Sequence, residues 1–212
     1  MGKYHEPRGV LYYCYFDNAV VARRALALAD TPTFPDIRKT IMHDDKVMSL
    51  IAAVGVDSEK GLLRGYADEL GKVAEEPLVL KWGDWHCGEG KSLCIGVEPT
   101  FTEPSLVEPF VHGESHRILI VGGHVWQLRY DSLEWRKNVN SEITRVDVDS
   151  DLSERSCKIA RGLGLDVVGI DYILNDEGAS LLEVNAYPGL DQVKEAEDAF
   201  IGMAISWARS LR

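Results

Sequence analysis

The chain has 212 residues, 45% of them hydrophobic and 27% charged, with a formal net charge of −11. That is enough apolar material for one globular domain or two small lobes. The acidic balance excludes an extended nucleic-acid surface, which needs clustered Lys and Arg, but leaves room for a locally basic pocket.

No apolar run approaches the ~20 residues of a membrane span, so no membrane or nucleic-acid partner is expected. Tyr4, His5, Glu6 and Arg8 interrupt any signal-peptide core. Cys14, Cys87, Cys94 and Cys157 form no CxxC pair and show no zinc spacing, which fits a reducing, cytoplasmic setting.

In chain order, Val10 to Phe16 predicts an apolar strand. Asn18 to Ala29 predicts a helix, broken by Thr31-Pro32-Thr33-Phe34-Pro35. From Asp36 the pattern turns helical, with Val47, Leu50, Ile51 and Val54 on one face and Gly55 as C-cap. Lys46 stands near its start and reads on its own as a surface lysine. A further helix is expected over Ser58 to Gly71, capped by Asp57 or Ser58.

Leu78-Val79-Leu80 reads as a buried strand carrying Lys81 inward. The glycines of the following loop, Gly83 to Lys91, free its backbone N–H groups to cradle phosphates. The loop lacks the Walker spacing and is bulky at Trp85-His86-Cys87. His86 has no partner in the sequence and reads as incidental. After strand-like Ser105 to Val111, Arg117 opens an alternating run, Ile118 to Val121, that turns at Gly122-Gly123. Val125 to Tyr130 returns with Gln127 and Arg129 on one face. Asp151-x-x-Glu154 reads as the capping box of a helix that stops at Gly164, with Cys157, Ile159, Ala160 and Leu163 inward. Gln192 to Arg212 predicts a last helix whose stripe from Ala199 to Trp207 packs on a sheet.

The most informative stretch is Val167 to Gly189, VVGIDYILNDEGASLLEVNAYPG. Asn175-Asp176-Glu177-Gly178 marks a hairpin turn. Period-two alternation points Glu183 and Asn185 the same way, and a hairpin centred near Glu177 sets Asp171 across from Glu183 on that face, with Ile170, Leu182 and Val184 on the other. Acidic residues on a hairpin can simply be its solvated side. However, Leu181-Leu182 runs directly into Glu183, and a carboxylate inside an apolar strand needs a partner. Two carboxylates and an amide oxygen suit Mg²⁺.

GIDYIL followed by LLEVNAYPGL resembles the closing motif pair of the ATP-grasp ligases, in particular the RimK-like branch. The resemblance covers about residues 36–210 and implies an α+β ATP-grasp fold whose lobes clamp ATP. Residues 1–35 would be the remnant of a preceding domain, 36–111 the first lobe with its Gly-rich lid, and 112–212 the second lobe with the metal site. It implies Mg²⁺ (or Mn²⁺) on Asp171, Glu183 and Asn185. Nucleotide contacts would come from Lys46, Lys81, Gly88, Gly90, Glu108, Phe110, Val111, Glu114 and Asn138. Within that set, Glu108 to Val111 would serve adenine and Glu114, in a chain with Ser115 where relatives have Asp, would serve ribose. Arg129 and Arg136 would act on the transferring phosphoryl group; either alone could be a surface ion pair.

The implied activity is ATP-dependent joining of a small-molecule or peptide carboxylate to an amine through an acyl phosphate. A nucleotide-binding module without turnover and a small-molecule kinase are the alternatives. A homodimer through Val10 to Phe16 is also expected.

Overall fold

Short apolar runs punctuated by glycine and proline become strands, and three longer stretches become helices. The computed structural model describes residues 8–11, 26–27, 30–43, 45–57, 62–69, 73–83, 89–137 and 139–211. β1 (Val10–Leu11) pairs in parallel with β2 (Thr33–Phe34). α1 (Ile37–Thr40), a 3₁₀ turn at Ile41–His43 and α2 (Lys46–Val56) follow. β3 (Gly65–Ala67), β4 (Leu78–Lys81), β5 (Lys91–Cys94) and β6 (Ser105–Pro109) form an antiparallel sheet in the order β3-β6-β4-β5. β7 (Glu114–Val121), β8 (His124–Asp131) and β9 (Glu142–Val146) lead to α3 (Ser150–Leu163). β10 (Val167–Asn175), β11 (Gly178–Asn185) and α4 (Lys194–Ser210) complete the chain. The second sheet has the order β11-β10-β7-β8-β9, so the fold is α+β as expected.

Alternation divides the five-stranded sheet cleanly. Ile118, Ile120, Ile170, Tyr172, Leu181 and Val184 pack against Leu50 and Ala53 of α2 and Ile159 and Ala160 of α3. The opposite phase, Leu119, Val121, Leu128, Tyr130 and Val167, packs with Ala196 and Phe200 of α4. Phe34 bridges from β2, its ring 5.3 Å from Phe200 and 5.8 Å from Trp207. A smaller core of Leu80, Cys94, Val107 and Ala74 backs the four-stranded sheet.

Several local expectations change. α2 buries Lys46, Ser49, Leu50 and Ala53, while Ile51 is 57% exposed and Val54 also faces outward. Counting apolar residues misorients this helix because two polar residues on its inner edge find partners: Lys46 meets Glu183, and Ser49 lies 3.1 Å from His43. The helix runs through Gly55 and ends at Asp57, whose carboxylate Arg155 grips at 2.7 and 2.9 Å. In place of a helix over Ser58 to Gly71, the described residues 62–69 contain β3, which pairs with β6. Gly65 disfavours a helix there, and pairing satisfies the backbone instead. α3 begins one residue before Asp151, because Asp149 caps it by accepting from Leu152 N at 2.8 Å. Gly164 does end it, in the left-handed region at φ 69°. The two sheets fall on either side of residues 111–112, but α2, expected in the first lobe, packs on the second sheet. Tyr12 to Phe16, most of the Asn18 to Ala29 stretch and loop residues 84–88 lie outside the described residues.

Candidate active site

The hairpin register puts Asp171 opposite Glu183 and Gly169 opposite Asn185. The next pair is Tyr172 with Leu181, so β11 carries one extra residue, Leu182, in a bulge. Leu182 therefore lines the cavity beside Glu183 instead of joining Ile170 and Val184 on the far face. The bulge also presents two carbonyls to the other sheet: Leu181 O accepts from Arg64, and Leu182 O accepts from Lys81 at 3.4 Å.

Cations surround the acidic hairpin. Lys46 donates to Glu183 Oε1 at 2.9 Å and to Asn185 Oδ1, and Lys91 reaches Glu183 Oε2 at 3.4 Å. Burial alone would push the Glu183 carboxyl up; Lys46 and then Lys91 overcome it and hold Glu183 well below the usual carboxylate range. Arg117 clasps Asp171 with bonds of 2.6 and 2.8 Å, and Asn185 Nδ2 donates to Asp171 Oδ2 at 3.1 Å. Burial opposes the Arg117 charge, but Asp171 outweighs it and keeps the guanidinium ionised. Across the cavity, Glu108 pairs with Lys81 and, at 2.8 Å, with Arg64. Burial pushes Lys81 down despite the opposing pull of Glu108.

Lys81, Lys91, Glu108, Arg117, Asp171 and Glu183 line a cavity of about 440 Å³ between the two sheets. Lys81, Glu108, Phe110, Val111, Asp171 and Glu183 all face it, as the sequence led us to expect. Phe110 is anchored through its N–H to Pro77 O at 2.8 Å, and its ring meets His112 edge-on at 4.7 Å. Gly90 has φ 60°, and a Cβ there would collide with Trp82 O, so the loop needs glycine at that point. Gly88, His86 and Asn138 lie outside the described residues.

Three expected residues are not brought in. Glu114 is 68% exposed and shares the His116 face of β7; Ser115, on the other phase, lines the cavity. Arg129 pairs across strands with His116, on the Ile118 and Ile120 phase that turns away from the cavity, and bonds Asp131 at 2.9 Å. Arg117 is the arginine of the site. It shares the phase of Leu119 and Val121, and a charged residue in line with those apolar positions was the available signal. Arg136 sits between the cavity-lining Trp135 and Lys137, its guanidinium 3.7 Å from Glu134. Arg64 and Lys91 were also missed.

Among the described residues no group of three His, Cys, Asp or Glu could hold a metal. Two carboxylates with an amide oxygen, and no thiol or imidazole, are donors suited to Mg²⁺ or Mn²⁺ completed by phosphate oxygens and water. The donor set fits such an ion.

Two antiparallel sheets enclosing a cavity, with an acidic hairpin on one wall and lysines on the other, define an ATP-grasp fold. The family model of the RimK-like ATP-grasp domain matches residues 43–207, and the chain belongs to that family. It is 28% identical over 196 residues to a probable alpha-L-glutamate ligase of Mannheimia succiniciproducens, covering 80% of this chain and 64% of the relative. Across three such relatives the matched region spans 31% to 64% of their length. D-alanine–D-alanine ligase of Bacillus anthracis shares the fold with a TM-score of 0.69 at 13% identity, over 96% of this chain and 81% of that one. The ATP-grasp ligase PsnB, solved with a precursor variant, Mg and ADP, gives 0.62 at 13% identity over 92% and 67%. Among the described residues no helix is long and apolar enough to cross a membrane.

Proposed function

We propose that this chain binds ATP with Mg²⁺ between its two sheets and joins a carboxylate to an amine, releasing ADP and phosphate. The observation that carries the reading is the convergence of Asp171, Glu183, Lys81, Lys91 and Arg117 on one cavity. The backbone of Phe110 and Val111 and the Glu108 side chain would bind the base. Lys46, Lys81 and the glycine loop at Gly90 would hold phosphates. Asp171, Glu183 and Asn185 would hold the metal, which when bound neutralises charge on the phosphate oxygens.

A carboxylate oxygen of the acid attacks the γ-phosphorus, and the bond to the β-phosphate oxygen breaks to release ADP. The amine then attacks the acyl carbon, phosphate leaves, and the amine gives up a proton. The chain's part is positioning and charge compensation, with Arg117 taking the place expected of Arg129. The names of the curated relatives favour glutamate as one substrate. ADP release measured over a panel of acids and amines tests the reading. Release that needs both an acid and an amine supports it; release with the acid alone, or with neither, contradicts it.

A further inference from the structure

Every oxygen of the proposed metal-binding set already has a protein partner. Asp171 Oδ1 and Oδ2 accept from Arg117, and Oδ2 also accepts from Asn185. Glu183 Oε1 and Asn185 Oδ1 both accept from the single Lys46 ammonium, and Glu183 Oε2 accepts from Lys91. Lys46 thus bridges two of the three ligating side chains, as a bound cation would.

Its placement breaks two local rules. Lys46 is the first residue of α2, at the positive end of the helix dipole. Its side chain is also only 1% exposed, where an uncompensated ammonium is costly. Asp45, the helix cap, spends a carboxylate oxygen on Met48 N at 2.9 Å. Local violations of this kind concentrate at functional positions.

We infer that Lys46 is a built-in cation that holds the Glu183–Asn185 end of the site closed to divalent metal until nucleotide phosphates draw it away. The inference rests on the metal and nucleotide roles proposed above. Phosphate oxygens are alternative acceptors for the ammonium, and moving it to them exposes Glu183 Oε1 and Asn185 Oδ1 together. Nucleotide and metal therefore bind as a coupled pair, with each raising affinity for the other by the same factor. Arg117 stays on Asp171 throughout and keeps that carboxylate oriented.

The test is Mn²⁺ binding to the whole chain, read by electron paramagnetic resonance of free Mn²⁺, with and without ADP, for wild type and Lys46→Met. Nucleotide-free wild type should bind Mn²⁺ at least tenfold more weakly than nucleotide-free Lys46→Met, and ADP should raise the wild-type affinity by at least tenfold. Equal nucleotide-free affinity in the two folded proteins overturns the inference. If Lys46→Met fails to fold, wild type decides alone: Mn²⁺ bound equally well with and without ADP overturns it. Calorimetry of ADP binding to wild type separates the two failures. Absent ADP binding removes the functional reading, whereas ADP binding with uncoupled Mn²⁺ removes only the role of Lys46.

Discussion

Arg117 and Asp171 are cross-strand partners on β7 and β10, joined by two hydrogen bonds of 2.6 and 2.8 Å. The planar guanidinium matches the carboxylate fork, which fixes the direction of Asp171 as well as its charge. Arg117→Ala leaves a mostly buried carboxylate without its main counter-charge. It should destabilise the fold by about 3 kcal/mol, the scale for breaking a buried pair from one side. Arg117→Lys should restore part of that loss but not the two-point grip. Urea unfolding of the three proteins measures it, and a loss below a few tenths of a kcal/mol for Arg117→Ala would show the pair to be incidental.

Glu183→Gln separates a buried counter-charge from a solvated hairpin face. From the sequence, relief of repulsion with Asp171 could favour the neutral side chain. The structure reverses that expectation, because Glu183 lies between Lys46 and Lys91 and its neutralisation strands a buried ammonium. The substitution should cost about 2 kcal/mol or more and should also weaken the Mg²⁺ dependence of ADP formation. A thermal melt matching wild type would contradict the buried-pair geometry.

Lys81 faces the cavity from the end of β4. Lys81→Ala should weaken ADP binding by one charge-assisted contact, about 1.5–3 kcal/mol. Unchanged affinity by calorimetry, with the variant folded, would remove Lys81 from the phosphate site.

His43 supplies a pH signature outside the cavity. Burial pushes its imidazole below the ordinary value, so the folded chain takes up its proton at lower pH than the unfolded chain, which does so near pH 6.5. The unfolded state then binds more protons, and stability falls as pH drops below that value. Wild type should lose more stability than His43→Gln between pH 7.5 and 5.5. Parallel slopes for the two proteins in urea melts would rule this out. The Glu183 contribution also disappears with acid, but only below the ordinary carboxylate range near pH 4.3, so the two windows are distinct.

The parts of the site legible in the sequence were those set by strand periodicity. Alternation puts Glu183 and Asn185 on one face of β11, but the two-residue turn alone would set Asp171 opposite Leu182, and it is the bulge that brings Glu183 into that place. The same rule, applied to β7, assigns Ser115 and Arg117 to the cavity side and Glu114 to the opposite face; motif position suggested otherwise and alternation prevailed. The bulge at Leu182 has no sequence signal, since it arises where β11 fits against both β10 and the Arg64 and Lys81 side chains. The inner edge of α2 was hidden for a related reason. Its buried Lys46 is stabilised by a partner far away in the sequence, Lys46 and Glu183 being 137 positions apart.

Oxygen transfer examines the proposed chemistry most directly. The acid that supports ADP release is supplied with both carboxylate oxygens as ¹⁸O, together with ATP, Mg²⁺ and the amine, and the released phosphate is analysed by mass spectrometry. Passage through an acyl phosphate moves one carboxylate oxygen onto phosphorus, so each phosphate formed should carry one ¹⁸O. Phosphate without label, at the same yield of amide, would mean that the carboxylate never attacked ATP and that the ligase mechanism is wrong.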